Sequence, residues 1–374
     1  MVQKAYDLRL RRLSSLIGNT PLLAIEFLYR GEKCTIYAKA EYLNLTGSIK
    51  DRMAYNILKR ASIKNVLRPG SPIIEVTSGN TGISFAAIGR ALGHPVTIFM
   101  PDWVSRERIK LLQAYGAEII LFNKEECSFQ DSICRAEELA SSSGDAFLPA
   151  QFANRDNIAA HYETTGPEIW YQLRFHAISP DAFIAGVGTG GTIMGVARFL
   201  KECKPTIKAH ALEPAGFPLA TADASGNGHR IEGIADGFLP PILDLNVLDP
   251  VVRVADGDAI LMAQKLAAEL GLGVGIPAGA NFLGALQVQE AMGSEAVVVT
   301  VFPDDNKKYL STDLFGEEPI RNGSLAPGIT LLGVESLKRV CYTCCVPEEC
   351  LQSAPLDFTR EMPPPPCPRR QRNG

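Results

Sequence analysis

Short apolar segments alternate with helical segments through most of this 374-residue chain, and this alternation constrains the fold more than any other feature. Residues 96–100 and 118–122 are apolar runs of strand length, and helical patterns at 105–115 and 128–142 follow them. A second alternating set extends over 183–302. Apolar strands separated by helices are typical of a parallel sheet covered on both faces. The pattern therefore predicts an α/β protein with mainly parallel, twisted sheets.

The length allows two domains and a tail. We expect an N-terminal arm and the first part of a large domain at 1–50, with a first strand at 35–39. A small, mobile domain is expected at 51–150, the remainder of the large domain at 151–330, and a separate tail at 331–374. Two α/β halves that face each other would bind a ligand in the crevice between them.

Composition excludes several classes of partner. The formal net charge is −4 and the isoelectric point is about 5.8, which argues against binding to nucleic acid or to anionic membranes. No apolar run approaches the length that spans a bilayer, and the N-terminus lacks the apolar region of a signal peptide. The sequence therefore predicts a cytoplasmic protein.

A single lysine, Lys50, stands at the start of a predicted helix, shortly after a turn of small residues at 46–48. Apolar positions have helical spacing over 50–61, and Ser48 is the predicted N-cap. The positive helix end and the apolar neighbours both disfavour the ammonium form, which lowers the pKa of Lys50. A neutral lysine can attack a carbonyl and hold it as a Schiff base. The alternative is a solvated lysine beside an ion pair formed by the next two residues.

The loop at 77–82 has the sequence Thr-Ser-Gly-Asn-Thr-Gly and connects a predicted strand at 73–76 to a predicted helix at 83–92. Its hydroxyls, its amide and its backbone N–H groups are suited to binding a carboxylate. The alternative is an ordinary capped helix start, but six small polar residues exceed what capping requires.

A glycine-rich loop at 186–192, Gly-Val-Gly-Thr-Gly-Gly-Thr, also joins a predicted strand to a predicted helix. Glycines allow the backbone to approach an anion closely, so the loop predicts a phosphate site. The same glycines match the dinucleotide fingerprint, with Glu213 placed where a ribose-binding acid would be expected. A dinucleotide-dependent dehydrogenase is therefore the main rival hypothesis, although it leaves the lysine turn and the loop at 77–82 unexplained.

Together these motifs resemble those of the fold-type II pyridoxal-phosphate enzymes, above all the cysteine synthase and cystathionine β-synthase group. The resemblance covers roughly residues 10–315 and implies pyridoxal 5′-phosphate as the cofactor. It also implies two three-layer αβα domains, as in a tryptophan synthase β-like fold. The matching segments are Ile-Gly-Asn-Thr-Pro-Leu at 17–22, Gly-Ser-Ile-Lys-Asp-Arg at 47–52, the loop at 77–82, Ser-Arg-Glu-Arg at 105–108 and Gly-Thr-Gly-Gly-Thr at 188–192.

The resemblance also implies roles for individual residues. Lys50 would form the Schiff base with the cofactor and act as the base at the substrate Cα, and Asn80 would bind the ring oxygen. The residues that would bind the substrate carboxylate are Thr77, Ser78, Gly79, Thr81 and Gln151. The residues that would bind the phosphate are Gly188, Thr189, Gly190, Gly191 and Thr192.

Three positions depart from the family pattern. The family places a serine at the pyridine nitrogen in a Gly-Ile-Ser-Ser-Gly-Ala segment, but residues 275–280 read Gly-Ile-Pro-Ala-Gly-Ala. Ala278, expected to face that nitrogen, has no hydroxyl, so the nitrogen must find water or another group, or remain unpaired. Ala235 replaces a common glycine, and Asp236 after it adds a carboxylate near the site. At 302–305 the sequence reads Phe-Pro-Asp-Asp, in a stretch that is often rich in serine in cysteine synthases and carries an aspartate in cystathionine synthases.

The function implied by the resemblance is a β-replacement. An O-acetyl- or O-phospho-L-serine would react with a sulfur nucleophile, through an α-aminoacrylate, to give L-cysteine. The expected partners are the amino-acid substrate, a sulfur donor and a second copy of the chain in a homodimer. The alternatives are cystathionine synthesis, S-sulfocysteine formation, and an inactive scaffold on which the tail has a metal or redox regulatory role.

The tail carries clustered cysteines at Cys341, Cys344, Cys345 and Cys350. In a cytoplasmic protein, this spacing indicates metal or redox chemistry rather than a disulfide framework. The cluster is compact for one tetrahedral zinc, and an adventitiously reactive tail is the alternative.

Overall fold

The computed structural model describes residues 2–123, 128–217 and 228–340. The ten α-helices in these ranges are α1 (Val2–Leu13), α2 (Lys50–Ile63), α3 (Asn80–Leu92), α4 (Arg106–Ala114), α5 (Phe129–Ser142), α6 (Arg155–Ala160), α7 (Gly166–Arg174), α8 (Gly191–Cys203), α9 (Asp256–Leu270) and α10 (Ile276–Met292). The ten strands in the same ranges are β1 (Leu22–Tyr29), β2 (Glu32–Ala40), β3 (Ile73–Val76), β4 (Val96–Pro101), β5 (Glu118–Phe122), β6 (Ala182–Gly186), β7 (Lys208–Pro214), β8 (Asp249–Val254), β9 (Val298–Phe302) and β10 (Ile329–Ser336).

A seven-stranded sheet forms the larger unit, with the strand order β10-β1-β2-β9-β6-β7-β8. The five strands from β2 to β8 in this order are parallel, and β1 pairs antiparallel with both β2 and β10. Strand β9 lies in the middle and is buried along its whole length, because α10 and other helices cover its faces. Loops that follow β6 and β9 therefore emerge side by side at the same edge of the sheet.

Helices cover both faces of the larger sheet. On one face, α9 and α10 pack against apolar residues such as Ile184 and Leu212. On the other face, α7 and α8 pack against Phe183 and Ala185. Neighbouring residues of β6 thus face opposite layers, as the two-residue period of a strand requires. The architecture is the α/β class with mainly parallel sheets that the sequence predicts.

The smaller sheet consists of the parallel strands β3, β4 and β5. Helices α2 and α3 contribute to one apolar core beside it, and α5 contributes to a second core on the other side. Helix α1 packs against this unit, where the Tyr6 hydroxyl lies 3.0 Å from Nε2 of His94. All of this sheet falls within 51–150, but the domain boundaries themselves stay a prediction.

The expected first strand at 35–39 is in fact the second strand of the chain. It lies within β2, and β1 precedes it as the partner in a hairpin. Arg30 and Gly31 both have positive φ, at 50° and 86°, which is the backbone geometry of a tight turn between twisted strands. Arginine is not a typical residue for such a turn, so the local sequence signal was weak.

In the part of the chain that the structure describes, no helix combines the length and apolar character needed to cross a membrane. The four predicted metal or redox cysteines at 341, 344, 345 and 350 lie outside the described residues.

Candidate active site

A cavity lies just beyond the carboxyl ends of β6 and β9. This edge of an open, mainly parallel sheet is where small molecules commonly bind. Its wall includes Lys50, Asn80, Gly188, Thr189, Gly190, Thr192, Pro277 and Asp304. The lysine turn, the asparagine-containing loop and the glycine-rich loop, which are far apart in sequence, therefore meet in one cavity.

Lys50 is the first residue of α2, and its side chain lies on the cavity wall. The N-cap position is occupied by Ile49, while the predicted cap, Ser48, accepts a 3.3 Å hydrogen bond from the backbone N–H of Lys50. Desolvation lowers the pKa of Lys50, and the negative charges of Asp236 and Asp304 do not outweigh this effect. The site thus favours the neutral amine that can attack a carbonyl.

The two residues after Lys50 do not form an ion pair with each other. Asp51 accepts hydrogen bonds from the N–H and the hydroxyl of Thr46, both at 2.6 Å. Arg52 donates instead to the buried carboxylates of Glu41 and Glu168. This contradicts the alternative of an exposed lysine beside a surface ion pair, because the start of α2 is anchored in a buried polar network.

The loop between β3 and α3 does not use its side chains to cap the helix. Gly79 is the N-cap, and no side chain there forms a capping hydrogen bond. The Thr77 hydroxyl accepts from the Gly79 N–H at 3.0 Å, and the Thr81 hydroxyl donates to Oε1 of Gln151 at 2.6 Å. Ser78 is partly exposed beside them. The five residues predicted to bind a carboxylate therefore lie together at the N-terminus of α3, where an anion is favoured.

The glycines between β6 and α8 are required by close contacts. A Cβ atom at Gly188 would lie 2.5 Å from the carbonyl oxygen of Gly233, and one at Gly191 would lie 1.9 Å from Oδ1 of Asn157. Gly190 is the N-cap of α8 and has a φ of 87°, in the left-handed region that favours glycine. The loop thus brings the backbone N–H groups at the start of α8 to the cavity, which suits a phosphate.

The two threonines of this loop are held by neighbouring side chains. Thr189 Oγ1 accepts a 2.9 Å hydrogen bond from Nδ2 of Asn157, and Thr192 Oγ1 lies 3.3 Å from Nε2 of His161. Desolvation lowers the pKa of His161 to about 3, so its ring is neutral and adds no charge there. Four of the five predicted phosphate-binding residues line the cavity, namely Gly188, Thr189, Gly190 and Thr192. The fifth, Gly191, packs against Asn157 instead.

The structure does not favour the dinucleotide interpretation. Glu213 is buried in β7, and it accepts a 2.7 Å hydrogen bond from Nε of Arg253. The described residues that line the cavity include none from β7. The acid that would have to bind a ribose is therefore engaged in an ion pair away from the cavity, whereas the glycine-rich loop still suits a single phosphate.

Pro277, and not Ala278, lies on the cavity wall. Ala278 is fully buried in the apolar core between the larger sheet and α9. The two residues occupy the first turn of α10, where successive side chains point about 100° apart because the helix has 3.6 residues per turn. The burial of Ala278 does not favour the expectation that it faces the ring nitrogen, and neither side chain can form a hydrogen bond.

Two buried polar atoms, Oδ1 of Asn80 and Oδ1 of Asp304, lack a hydrogen-bond partner among the described residues. Both residues belong to the cavity wall. Buried polar atoms are normally paired with protein, water or a ligand. A cavity with a reactive lysine, an anion site and unsatisfied polar atoms suits a small ligand that carries both a carbonyl and a phosphate.

Asp236 adds a carboxylate beside Lys50. The Ser78 hydroxyl donates to its Oδ1 at 3.3 Å. Burial raises the pKa of Asp236, and the positive charge of Lys50 offsets this only in part. Ala235 before it has a φ of 53°, which explains why glycine is common at this position: a non-glycine residue there is strained by roughly 1–2 kcal/mol.

Sequence reasoning missed Arg108, which the structure places beside the loop at 77–82. Its side chain is buried, forms an ion pair with Glu232, and lies 5.0 Å from the ring centroid of Tyr309. A Cβ atom at Gly79 would meet this side chain at 2.7 Å, so the glycine makes room for the arginine. The Ser-Arg-Glu-Arg segment was part of the resemblance, but nothing local in it indicates a partner 124 residues away.

Comparison with known proteins agrees with this geometry. The family of pyridoxal-phosphate dependent enzymes matches residues 13–304. The chain belongs to this family. A probable cysteine synthase of Bacillus subtilis is 41% identical over 302 residues, which are 81% of this chain and 96% of that protein. A hydrogen sulfide-producing enzyme from Fusobacterium nucleatum is 50% identical, with a TM-score of 0.86, and covers 89% of this chain and 100% of its own.

A third relative is an O-ureido-L-serine synthase of known structure, 36% identical with a TM-score of 0.74, which covers 84% of this chain and 98% of its own. The protein is thus a pyridoxal-phosphate-dependent enzyme similar to cysteine synthases. The site described above fits this cofactor. Lys50 would hold its aldehyde carbon, the N-terminus of α8 its phosphate, and Asn80 its ring oxygen.

Proposed function

We propose that this enzyme catalyses a β-replacement on an O-acetyl- or O-phospho-L-serine, in which a sulfur nucleophile replaces the oxygen leaving group and L-cysteine is formed. The observation that carries this proposal is that Lys50, Asn80 of the loop at 77–82, and the glycine-rich loop line one cavity. The similarity to cysteine synthases supports the same class of reaction.

The substrate carboxylate would bind at the N-terminus of α3. The Thr81 hydroxyl and the Gln151 side chain bond to each other there, and Ser78 lies beside them. The Thr81 hydroxyl and the Gln151 side chain can exchange their mutual hydrogen bond for hydrogen bonds to a carboxylate. The backbone N–H groups at the helix N-terminus also favour a negative charge there. Binding at this point would hold the amino group of the substrate toward Lys50.

Pyridoxal phosphate, when bound, supplies the electron-withdrawing group that acidifies the Cα–H bond of an amino acid. Lys50 removes the Cα proton and later returns it, since desolvation disfavours its ammonium form. Asp236 stands beside Lys50, and burial raises its pKa, so its carboxyl can exchange a proton with the group that leaves or enters at Cβ.

Product analysis with three donors tests this proposal. The enzyme is incubated with sulfide and, in turn, O-acetyl-L-serine, O-phospho-L-serine and L-serine, and L-cysteine is quantified. Lys50→Ala should reduce cysteine formation by at least about 10²-fold, the low end for loss of a general base. Lys59→Ala is the matched control, because Lys59 is exposed on the same helix outside the cavity, and it should keep wild-type activity. No cysteine from any donor would refute the proposal.

A second candidate is the release of sulfide from L-cysteine, favoured by the 50% identity to a hydrogen sulfide-producing enzyme. In this direction, the Cβ–S bond breaks, hydrosulfide leaves, and water or a thiol adds at Cβ and gives its proton to Asp236. Asp236→Asn should slow this reaction more than synthesis from hydrosulfide, because hydrosulfide is already an anion and needs no base. If L-cysteine, alone or with a second thiol, yields no sulfide, this candidate is excluded.

A further inference from the structure

Asp304 is a fully buried carboxylate on the cavity wall, two residues after the end of β9. Its Oδ2 accepts two hydrogen bonds, one from Nδ2 of Asn80 at 2.7 Å and one from the hydroxyl of Tyr309 at 2.6 Å. Its Oδ1 is buried and has no partner among the described residues. One oxygen of the carboxylate is thus fixed by the protein, and the other remains available.

The surroundings are shaped to hold this carboxylate. Gly275 donates its backbone N–H to the carbonyl of Asp304 at 3.0 Å, and a Cβ atom at Gly275 would lie 2.2 Å from Oδ1. Only a glycine therefore leaves room for the free oxygen. Burial and the negative charge of Asp304 raise the pKa of Tyr309 well above its usual value, so the Tyr309 hydroxyl keeps its proton and acts as the donor.

A buried carboxylate oxygen without a donor is unfavourable, so a group bound in the cavity is expected to supply one. The chemistry of pyridoxal phosphate limits the choice. Its phosphate and ring oxygens act as acceptors, and its only strong donor outside the carbonyl end is the ring nitrogen in its protonated form. The side chain of Pro277, the wall residue of the segment in which the family carries serine, offers neither a donor nor an acceptor.

We propose that Oδ1 of Asp304 accepts a hydrogen bond from the protonated ring nitrogen of pyridoxal phosphate and keeps that nitrogen charged. Asp304 would replace the serine hydroxyl of the family with a carboxylate. An adjacent opposite charge in a desolvated site favours the protonated form, whereas a hydroxyl can donate to a neutral nitrogen. A protonated ring withdraws electrons more strongly, which aids removal of the Cα proton.

The proposal is compatible with the role expected for Asn80. An amide nitrogen carries two hydrogens, so Nδ2 of Asn80 can donate one to Asp304 and the other to the ring oxygen of the cofactor. Asn80 would thereby form hydrogen bonds to both Asp304 and the ring oxygen of the cofactor.

The protonation state of the ring nitrogen can be measured without turnover. The holoenzyme is prepared with cofactor labelled with ¹⁵N in the ring, and its NMR chemical shift at neutral pH separates a protonated from a neutral ring. The wild-type enzyme should give the protonated signal. Asp304→Asn, which keeps the size of the side chain but removes its charge, should give the neutral signal. Asp304→Ser is a second variant, to be used if Asp304→Asn does not fold. It should also lose the signal of the protonated ring nitrogen.

Asp236→Asn is the matched control. Asp236 and Asp304 both act to raise the pKa of Lys50, but Asp236 is not among the residues that line the cavity with Pro277. Its ring signal should remain that of the wild type. A neutral ring in the wild-type holoenzyme would overturn the proposal, as would a protonated ring in Asp304→Asn or an equal loss in Asp236→Asn. Since no substrate is involved, these outcomes do not depend on which β-replacement the enzyme performs.

Discussion

Replacement of Glu168 by glutamine would remove one charge from a buried network that anchors the start of α2. Glu168 accepts from Nη1 and Nη2 of Arg52, both at 2.7 Å, and lies 2.7 Å from Nζ of Lys39. Arg52 also bonds to Glu41, with Nε to Oε2 at 2.6 Å. At most 2% of each of these four side chains is exposed, so water does not screen the charges.

The expected loss of stability follows from the charge balance. Lys39, Glu41, Arg52 and Glu168 together carry two positive and two negative charges, so Glu168→Gln leaves one positive charge buried without a partner. Breaking a buried ion pair in this way costs about 3–5 kcal/mol of unfolding free energy. With a shift of roughly 2–4 °C per kcal/mol for a domain of this type, the melting temperature should fall by roughly 6–20 °C. Because Arg52 is two residues from Lys50, cofactor occupancy should fall as well.

Urea unfolding of the holoenzyme, followed by circular dichroism, measures the free-energy change. Glu163→Gln is the control, since Glu163 pairs with Arg60 at the surface with 46% of its side chain exposed, and the expected effect is about 0–1 kcal/mol. If Glu168→Gln lowers the free energy of unfolding by less than about 1 kcal/mol, the idea that each buried charge of this network is stabilised by the opposite charges is refuted.

The same variant makes a prediction for pH. Burial by itself would raise the pKa of Glu168, but the positive charges of Arg52 and Lys39 outweigh it and hold the pKa well below its usual range. A depressed pKa in the folded state means that the stabilisation is present above the unfolded pKa of about 4.3 and is lost as the pH falls. The stability difference between wild type and Glu168→Gln should therefore narrow below about pH 4.3.

Three further predictions concern single residues. Gly188→Ala should reduce cofactor binding in equilibrium titrations, because a Cβ atom would lie 2.5 Å from the carbonyl oxygen of Gly233, whereas Gly216→Ala, with no atom within 4 Å of the added Cβ, should bind normally. Burial raises the pKa of Glu75 to about 8, so folding retains its proton and wild-type stability should fall as the pH rises from about 4.3 to about 8; Glu75→Gln should lack this slope in unfolding measurements. Glu213→Gln should leave cofactor occupancy unchanged, and tight NADH binding that this variant loses would revive the dehydrogenase hypothesis.

The sequence alone predicted those parts of the fold and the site that depend on neighbouring residues. The apolar runs at 73–76 and 118–122 are β3 and β5, since periodicity and turn residues are local signals. Lys50, the loop at 77–82 and the glycine-rich loop were identified because each motif is contiguous. Their presence in one cavity was expected from the resemblance, and the structure shows it.

Only the tertiary structure revealed which distant residues meet. Asp304 and Asn80 are 224 residues apart, and they are hydrogen-bonded because β9 lies between β2 and β6 and directs its following loop to the cavity. The distinction between Pro277 and Ala278 depends on the rotation of α10 against the sheet, which a motif of six residues does not contain. Strand order and helix rotation result from packing across the whole core, so no local sequence pattern determines them.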